Sequence, residues 1–418
     1  MKKFRKPNLQ ALAIGVAALI FFVVGGLRAR YISNDFVPVY AGMRCLLQGC
    51  NPYGTGELVY PPSTLLVLFP LALFQYPVAW LIWFLMNGAL FVAAVVLVLS
   101  LCPKRYPWLA TALGAVFLAG SSLLLIQAQP SAFAVSLVVI GVYFFLRGRA
   151  LLFGAVLLML SLAVKPLIGG LIVFYLFFRG VHRRYAAVAM AGALGLLLCG
   201  GLILRMLPQS VNWISDIRAN ISRTVVPGAT NDPRPASEQA VAALNLQTIT
   251  SIFFTEEKAF NYAAYAVFGV LFVAWAAAVL RMKRNMDNHL LSLGALSVLT
   301  LLPVYHRSYD GRFLLLSIPA ALIVFERRRI VGAFLCVLLA LATVSIQYWV
   351  QLLLKRDGLL QVVQRNKPLL ILLLREGDLS LLVLFCLFMI ACFSIRDPTN
   401  SGARSSWLDE HSSVAYPQ

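Results

Sequence analysis

Long apolar runs broken by short basic or polar interruptions dominate the chain. A hydrocarbon core of about 30 Å takes roughly 20 apolar residues per helix, and fewer where neighbouring helices enclose a short one. The pattern predicts membrane spans at 9–27, 77–101, 107–125, 131–146, 150–164, 166–178, 185–206, 262–281, 288–304, 311–325, 330–353 and 378–395. Twelve crossings put both termini on one side. The first run, Leu9 to Leu27, follows Lys2, Lys3, Arg5 and Lys6 with no small-residue cleavage site after it, so it reads as a retained signal anchor.

Two stretches resist simple counting. Tyr60 to Phe74 is apolar enough to cross, yet counting it would throw Lys104-Arg105 and every later basic loop to the outer side. Pro61 to Phe74 is therefore expected to be re-entrant or interfacial. Lys165-Pro166 lies in the middle of a 29-residue apolar stretch with basic loops at both ends. Two short helices meeting at that dipeptide on the outer side satisfy the charge rule.

Composition agrees with the pattern: 61% of residues are apolar, 12% are charged and mean hydropathy is +0.84. Soluble domains carry roughly 25% charged residues, so a water-soluble, disordered or fibrous class is excluded. The net charge of +19 invites a nucleic-acid reading, but the 35 Lys and Arg punctuate apolar runs and form no basic face or tail. With the twelve spans, the inner side holds 19 of the 35 basic residues and 5 of the 16 acids, net +14 against +5 outside. The basic residues are topological and no nucleic-acid partner is implied.

The expectation is an all-α, polytopic integral membrane protein with a single transmembrane domain over 1–418, seated in the cytoplasmic membrane. Its outer pieces are a first loop, 28–60, a large loop, 207–261, and the segment from Lys355 to Asp378; residues 396–418 form a short cytoplasmic tail. The large loop is rich in Pro, Asn, Ser and Thr, and its middle, Val226 to Pro235, reads as mobile. Of seven cysteines, five sit in or beside apolar segments, where a thiol packs as a small hydrophobe. Cys45 and Cys50 fall in the first outer loop, where a local disulfide can form. No internal repeat is evident, which weighs against a secondary transporter.

Ionisable residues at membrane depth or just outside it are costly, and each is a functional candidate. Asp35 follows the first helix, either as a general base or as the N-cap of a helix from Phe36 to Leu47. Lys165 cannot snorkel far and needs either a bound anion or a salt bridge to a neighbouring helix. His306, Arg307 and Arg312, with Tyr305, Tyr309 and Asp310, make up an eight-residue turn suited to a phosphate oxyanion, or a solvated loop whose charges pair internally. The amides of Gln127, Gln129, Asn245 and Gln247 can hydrogen-bond sugar hydroxyls or cap helices. No Walker sequence, dinucleotide glycine fingerprint, zinc spacing, nucleophile elbow or Asp-x-Asp pair occurs, so neither a nucleotide nor a metal is implied.

Asp35-Phe36 with Tyr40, Arg44, Gly49 and Asn51-Pro52-Tyr53, then Tyr60-Pro61-Pro62 and Phe69-Pro70-Leu71, resembles the opening of glycosyltransferase family 87. Asn34 precedes that run. Further on, Gln127 to Ser131, Arg147-Gly148-Arg149, Gly154, Lys165-Pro166 and Asn245-Leu246-Gln247 stand in the family's order, and the resemblance covers residues 31–325. Gln127-Ala128-Gln129-Pro130-Ser131 departs from the family's Gly-Gln-x-Asn, and 305–312 is more basic than its tryptophan-containing counterpart. The resemblance implies a GT-C-type bundle and an inverting transfer of a sugar, mannose foremost, from a polyprenyl-phosphate donor to a glycolipid or glycan acceptor on the outer face. It places Asp35 as the catalytic base. Lys165, His306, Arg307 and Arg312 are then candidates for the donor phosphate, and Tyr60, Gln127, Gln129, Asn245, Gln247, Tyr309 and Asp310 for the rest of the substrates. No cofactor is expected. A lipid or lipid-linked oligosaccharide translocase is the alternative from another class.

Overall fold

The computed structural model describes residues 9–29, 35–344 and 346–394. The N-terminal basic cluster, Asn34 and the tail 396–418 lie outside the described residues. The chain is 79% helical, and the β-structure among the described residues is one two-residue pair, Ala243–Leu244 against His306–Arg307.

Among the described residues, seven helices are long and apolar enough to cross a bilayer unaided: Leu9–Ala29, Tyr76–Leu99, Pro107–Ile126, Pro130–Arg147, Arg183–Met206, Glu257–Arg281 and Glu376–Ser394. Seven of the twelve expected spans coincide with these. The other five are shorter or divided. Leu151–Val164 and Pro166–Arg179 have 14 residues each, about 21 Å of helix, well short of the hydrocarbon thickness. The 288–304 span becomes Met286–Thr300, and 311–325 becomes a 3₁₀ turn, Asp310–Leu316, followed by Ser317–Arg327. The 330–353 span is two helices, Arg329–Val344 and Ile346–Arg356. Proline explains one of the breaks, since the residue before it is pushed out of the helical region: Lys165 has φ −146° and ψ 84° ahead of Pro166. Pro61 to Phe74 holds a seven-residue helix, Pro62–Leu68, and a 3₁₀ turn, Phe69–Leu73, so it is too short to cross as a helix.

Burial separates centre from rim. Pro130–Arg147 is 78% buried and forms the hub, whereas Leu9–Ala29 and Arg183–Met206 are 17% buried and turn apolar side chains outward. In water such faces would be costly. In lipid they lose nothing, because acyl chains are as apolar as leucine. One apolar core extends from Ala17 to Cys392 along the chain, and a small second one joins Val241 and Ile252 to Leu360, Val363, Leu370 and Leu374. The second core gathers the short helices after Ile346 over the segment that leads to Asn245.

The large loop is built rather than free. Its first part is the helix Trp213–Thr224, whose Asn220 donates to the carbonyls of Tyr53 and Leu58. In its middle Asp232 accepts from the backbone of Gly228 and Arg234 and from the Arg234 guanidinium. The expected mobile stretch is thus held by a carboxylate-centred turn. Cys45, in the last turn of the helix Phe36–Leu47, forms a disulfide with Cys50 just beyond it.

Candidate active site

Each polar candidate sits at a helix junction, and the contacts bring most of these junctions together. Asp35 precedes Phe36–Leu47, and its backbone N–H donates to the Gln127 carbonyl at 2.8 Å. Phe36 is fully buried and stacks on Trp83 with ring centroids 5.3 Å apart. The Trp83 Nε1–H in turn donates to the Ala128 carbonyl at 2.8 Å. Ala128 has φ +49°, a left-handed conformation that costs a non-glycine residue free energy and persists where its surroundings impose it. The junction between Pro107–Ile126 and Pro130–Arg147 is therefore clamped directly beside Asp35.

Asp35 occupies the N-cap position, yet its side chain makes no capping hydrogen bond. The capping alternative is not realised. Burial pushes its pKa up from the ordinary carboxylate value, the charges of Arg307 and Lys165 pull it down, and Asp310 pushes it up again, with a net rise. A half-buried carboxylate with a raised pKa, ringed by cations, is a stronger proton acceptor than one in water.

Asp310 has different surroundings. It is 1% exposed, and both its oxygens lie 2.8 Å from Lys165 Nζ. Asp310 Oδ2 also faces His306 Nδ1 at 3.1 Å and accepts from the Arg307 backbone N–H at 3.2 Å. Burial works against its charge, but Lys165 and His306 more than offset that and hold its pKa below the usual range. Lys165 spends its third proton on Ser131 Oγ at 2.7 Å and packs over the Tyr309 ring. The salt-bridge alternative for Lys165 is the arrangement found.

Arg307 reaches across to the large loop: Nη2 donates to the Thr230 carbonyl at 2.8 Å, and Nε donates to the Tyr305 hydroxyl. The Tyr60 hydroxyl donates to Gln129 Oε1 at 3.2 Å, and Tyr53 fastens the Tyr60 carbonyl. Asn245 and Gln247 lie across from the 302–308 segment. Asn245 caps its short helix through Thr248 N–H, and Gln247 Nε2 donates to the Pro303 carbonyl. Arg312 does not join the Asp35 network. It is 1% exposed, and its Nη2 donates to the Gly120 carbonyl at 2.7 Å.

Several candidates keep buried polar atoms without a hydrogen-bond partner among the described residues: Gln127 Oε1, Gln247 Oε1, His306 Nε2, and Arg312 Nε and Nη1. Such atoms cost free energy unless water or a substrate group meets them, and those of Gln127, Gln247 and His306 suit the junction cluster to a hydroxyl-rich ligand. Sequence reasoning missed Ser131, Trp83 and Thr230, which act through local geometry that spacing does not carry. It also missed Asp378, a buried carboxylate bonded to Asn245 N–H and Thr248 Oγ1, and the buried Arg375 beside it. Both stand at the head of an apolar run, where a charge is a weaker signal than that of Lys165 in the middle of one.

A family model of glycosyltransferase family 87 matches residues 58–303. The chain belongs to glycosyltransferase family 87. It is a membrane protein of a glycosyltransferase family, and the match contains Tyr60, Gln127, Gln129, Lys165, Asn245 and Gln247. Asp35 and the 305–312 segment lie outside the matched residues, so their roles within this family-87 chain rest on their geometry. No curated protein and no solved structure gives a significant match.

Proposed function

We propose that this protein is an inverting, GT-C-type transferase that moves a sugar, mannose foremost, from a polyprenyl-phosphate donor to a glycolipid or glycan acceptor. Its site faces the outer side of the cytoplasmic membrane. The acceptor hydroxyl oxygen attacks the anomeric carbon opposite the phosphate, the bond from that carbon to the phosphate oxygen breaks, and Asp35 takes the hydroxyl proton. The phosphate leaves on its lipid with the bonding electron pair, so no nucleotide is consumed. Negative charge grows on the departing phosphate in an oxocarbenium-like transition state, and prepositioned cations lower that barrier.

The observation that carries this reading is the state of Asp35 in a glycosyltransferase-family chain: uncapped, half-buried, raised in pKa and within reach of the Arg307 and Lys165 charges. Arg307 is the leading phosphate ligand. Its present partners are one carbonyl and one hydroxyl, weaker competitors than the Asp310 carboxylate that Lys165 would have to leave. Lys165 then acts next to the phosphate while Asp310 holds it in place. Tyr60, Gln127, Gln129, Gln247 and Tyr309 line the hydroxyl-bearing part, and the family match favours transfer over translocation.

The test is a panel of polyprenyl-phosphate sugars offered to the purified protein in nanodiscs, with release of the lipid phosphate and the anomeric configuration of the product as readouts. One donor is expected to react with inversion. Arg307→Ala is expected to weaken donor binding roughly 10- to 100-fold, the worth of a hydrogen bond to a charged group. Retention of configuration, or transfer from a nucleotide sugar and from no lipid phosphate, contradicts the proposal.

A further inference from the structure

The 305–312 turn is held from within by Asp310 and from outside by a second segment. Residues 242–248 form a strap along 302–308: Ser308 N–H donates to the Ala242 carbonyl at 2.9 Å, Leu244 pairs with His306, Ala243 pairs with Arg307, and Leu246 N–H donates to the Leu302 carbonyl at 2.9 Å. Gln247 Nε2 adds a bond to the Pro303 carbonyl. The strap itself is fixed from the last long helix by Asp378, which is 1% exposed, accepts from Asn245 N–H at 2.8 Å and lies 2.6 Å from Thr248 Oγ1. Thr248 Oγ1 is also 2.7 Å from the Asn245 carbonyl. Buried Arg375 lies within electrostatic reach of both Asp378 and Asp232, which ties the same corner to the large loop.

We infer that Asp378 is a positioning residue for the donor phosphate: through the 242–248 strap it sets where His306 and Arg307 stand. The inference rests on the proposed role of the 305–312 turn. Asp378 touches neither donor nor acceptor. A strap that slides at its Asn245 corner carries the paired residues His306 and Arg307 with it, and small displacements of a preorganised contact are costly. An asparagine can satisfy the same corner: its Oδ1 accepts from Asn245 N–H, and its amide donates to Thr248 Oγ1 while that hydroxyl donates to the Asn245 carbonyl. An alanine leaves the Asn245 N–H unmet and the Thr248 hydroxyl with the Asn245 carbonyl alone.

The experiment measures polyprenyl phosphate binding to the full chain in nanodiscs for wild type, Asp378→Asn, Asp378→Ala and Thr248→Val, with amide hydrogen exchange on the same samples. Asp378→Ala is expected to weaken binding about tenfold and to raise exchange across 302–308 while the central helix Pro130–Arg147 keeps its protection. Asp378→Asn is expected to stay within about twofold of wild type, and Thr248→Val to fall between the two. Where a sugar-bearing donor turns over, the change appears in KM more than in kcat. Wild-type binding by Asp378→Ala, or equal losses in Asp378→Asn and Asp378→Ala, overturns the inference. If wild type binds no polyprenyl phosphate, the proposed function fails and takes the inference with it; binding by wild type and Asp378→Ala alike sinks the inference alone.

Discussion

Asp35 and Asp310 are two carboxylates of one site with opposite surroundings. At Asp310, the ammonium of Lys165, the His306 ring and a backbone N–H use both oxygens, and the pKa falls. At Asp35, the only hydrogen bond between described residues runs from its backbone, burial outweighs two nearby cations, and the pKa rises. The first carboxylate is committed to holding the site together. The second makes no side-chain capping bond, as the proposed base requires. Pairs of titratable groups driven apart by their environments are a general way to tell a structural acid from a working base.

The comparison breaks most visibly in stability. Asp310→Ala leaves Lys165 without its carboxylate in a nearly dry corner, and is expected to cost about 3–5 kcal/mol by thermal or denaturant unfolding. Asp35→Asn removes a charge that burial disfavours, so it is expected to unfold no earlier than wild type at neutral pH. Early unfolding of Asp35→Asn together with a tolerant Asp310→Ala would invert the comparison.

Acid separates the two groups next. A raised pKa means that Asp35 loses its base form as pH falls through a value above that of an ordinary carboxylate, so transfer has an acid limb there, roughly tenfold per pH unit. The Asp310 pair has a lowered folded-state pKa, so its stabilisation is present above the unfolded value and is lost only as pH falls through the lower one. Between the two lies a window in which the protein is folded and inactive. Parallel rate and unfolding profiles are the measurement, and their coincidence would contradict the separation. A smaller effect sharpens the Asp310 side: Ser131→Ala removes one of three partners of Lys165 and is expected to cost about 1 kcal/mol of stability.

The apolar spacing is enough to read a helical membrane bundle and the helix junction at Lys165-Pro166, and within 61–74 the helices are short. Seven of the twelve expected spans coincide with helices long enough to cross alone and five are shorter or divided, because hydropathy does not distinguish a lipid-facing helix from a short one enclosed by others; Leu151–Val164 and Pro166–Arg179 are equally apolar either way. For the site, charge at membrane depth pointed to Asp35, Lys165 and the 305–312 turn, but pairing is a tertiary fact. Nothing in the spacing joins Lys165 to Asp310, 145 positions away, or separates Arg312 from Arg307, five positions apart, although one reaches the Gly120 carbonyl and the other Thr230. Asp378 stands at the head of an apolar run, where an acid is ordinary, so spacing alone does not mark it; its partners Asn245 and Thr248 are more than 100 positions away.

The central claim is that Asp35 is the base in transfer from a lipid phosphate, and the most direct test compares wild type with Asp35→Asn in nanodiscs using radiolabelled polyprenyl-phosphate mannose and a glycolipid acceptor fraction. The account predicts product from wild type, a loss of roughly 100- to 10,000-fold in the variant, and unchanged binding of the donor. Near wild-type turnover by Asp35→Asn would contradict it, since the amide keeps the shape of the side chain but cannot take the proton.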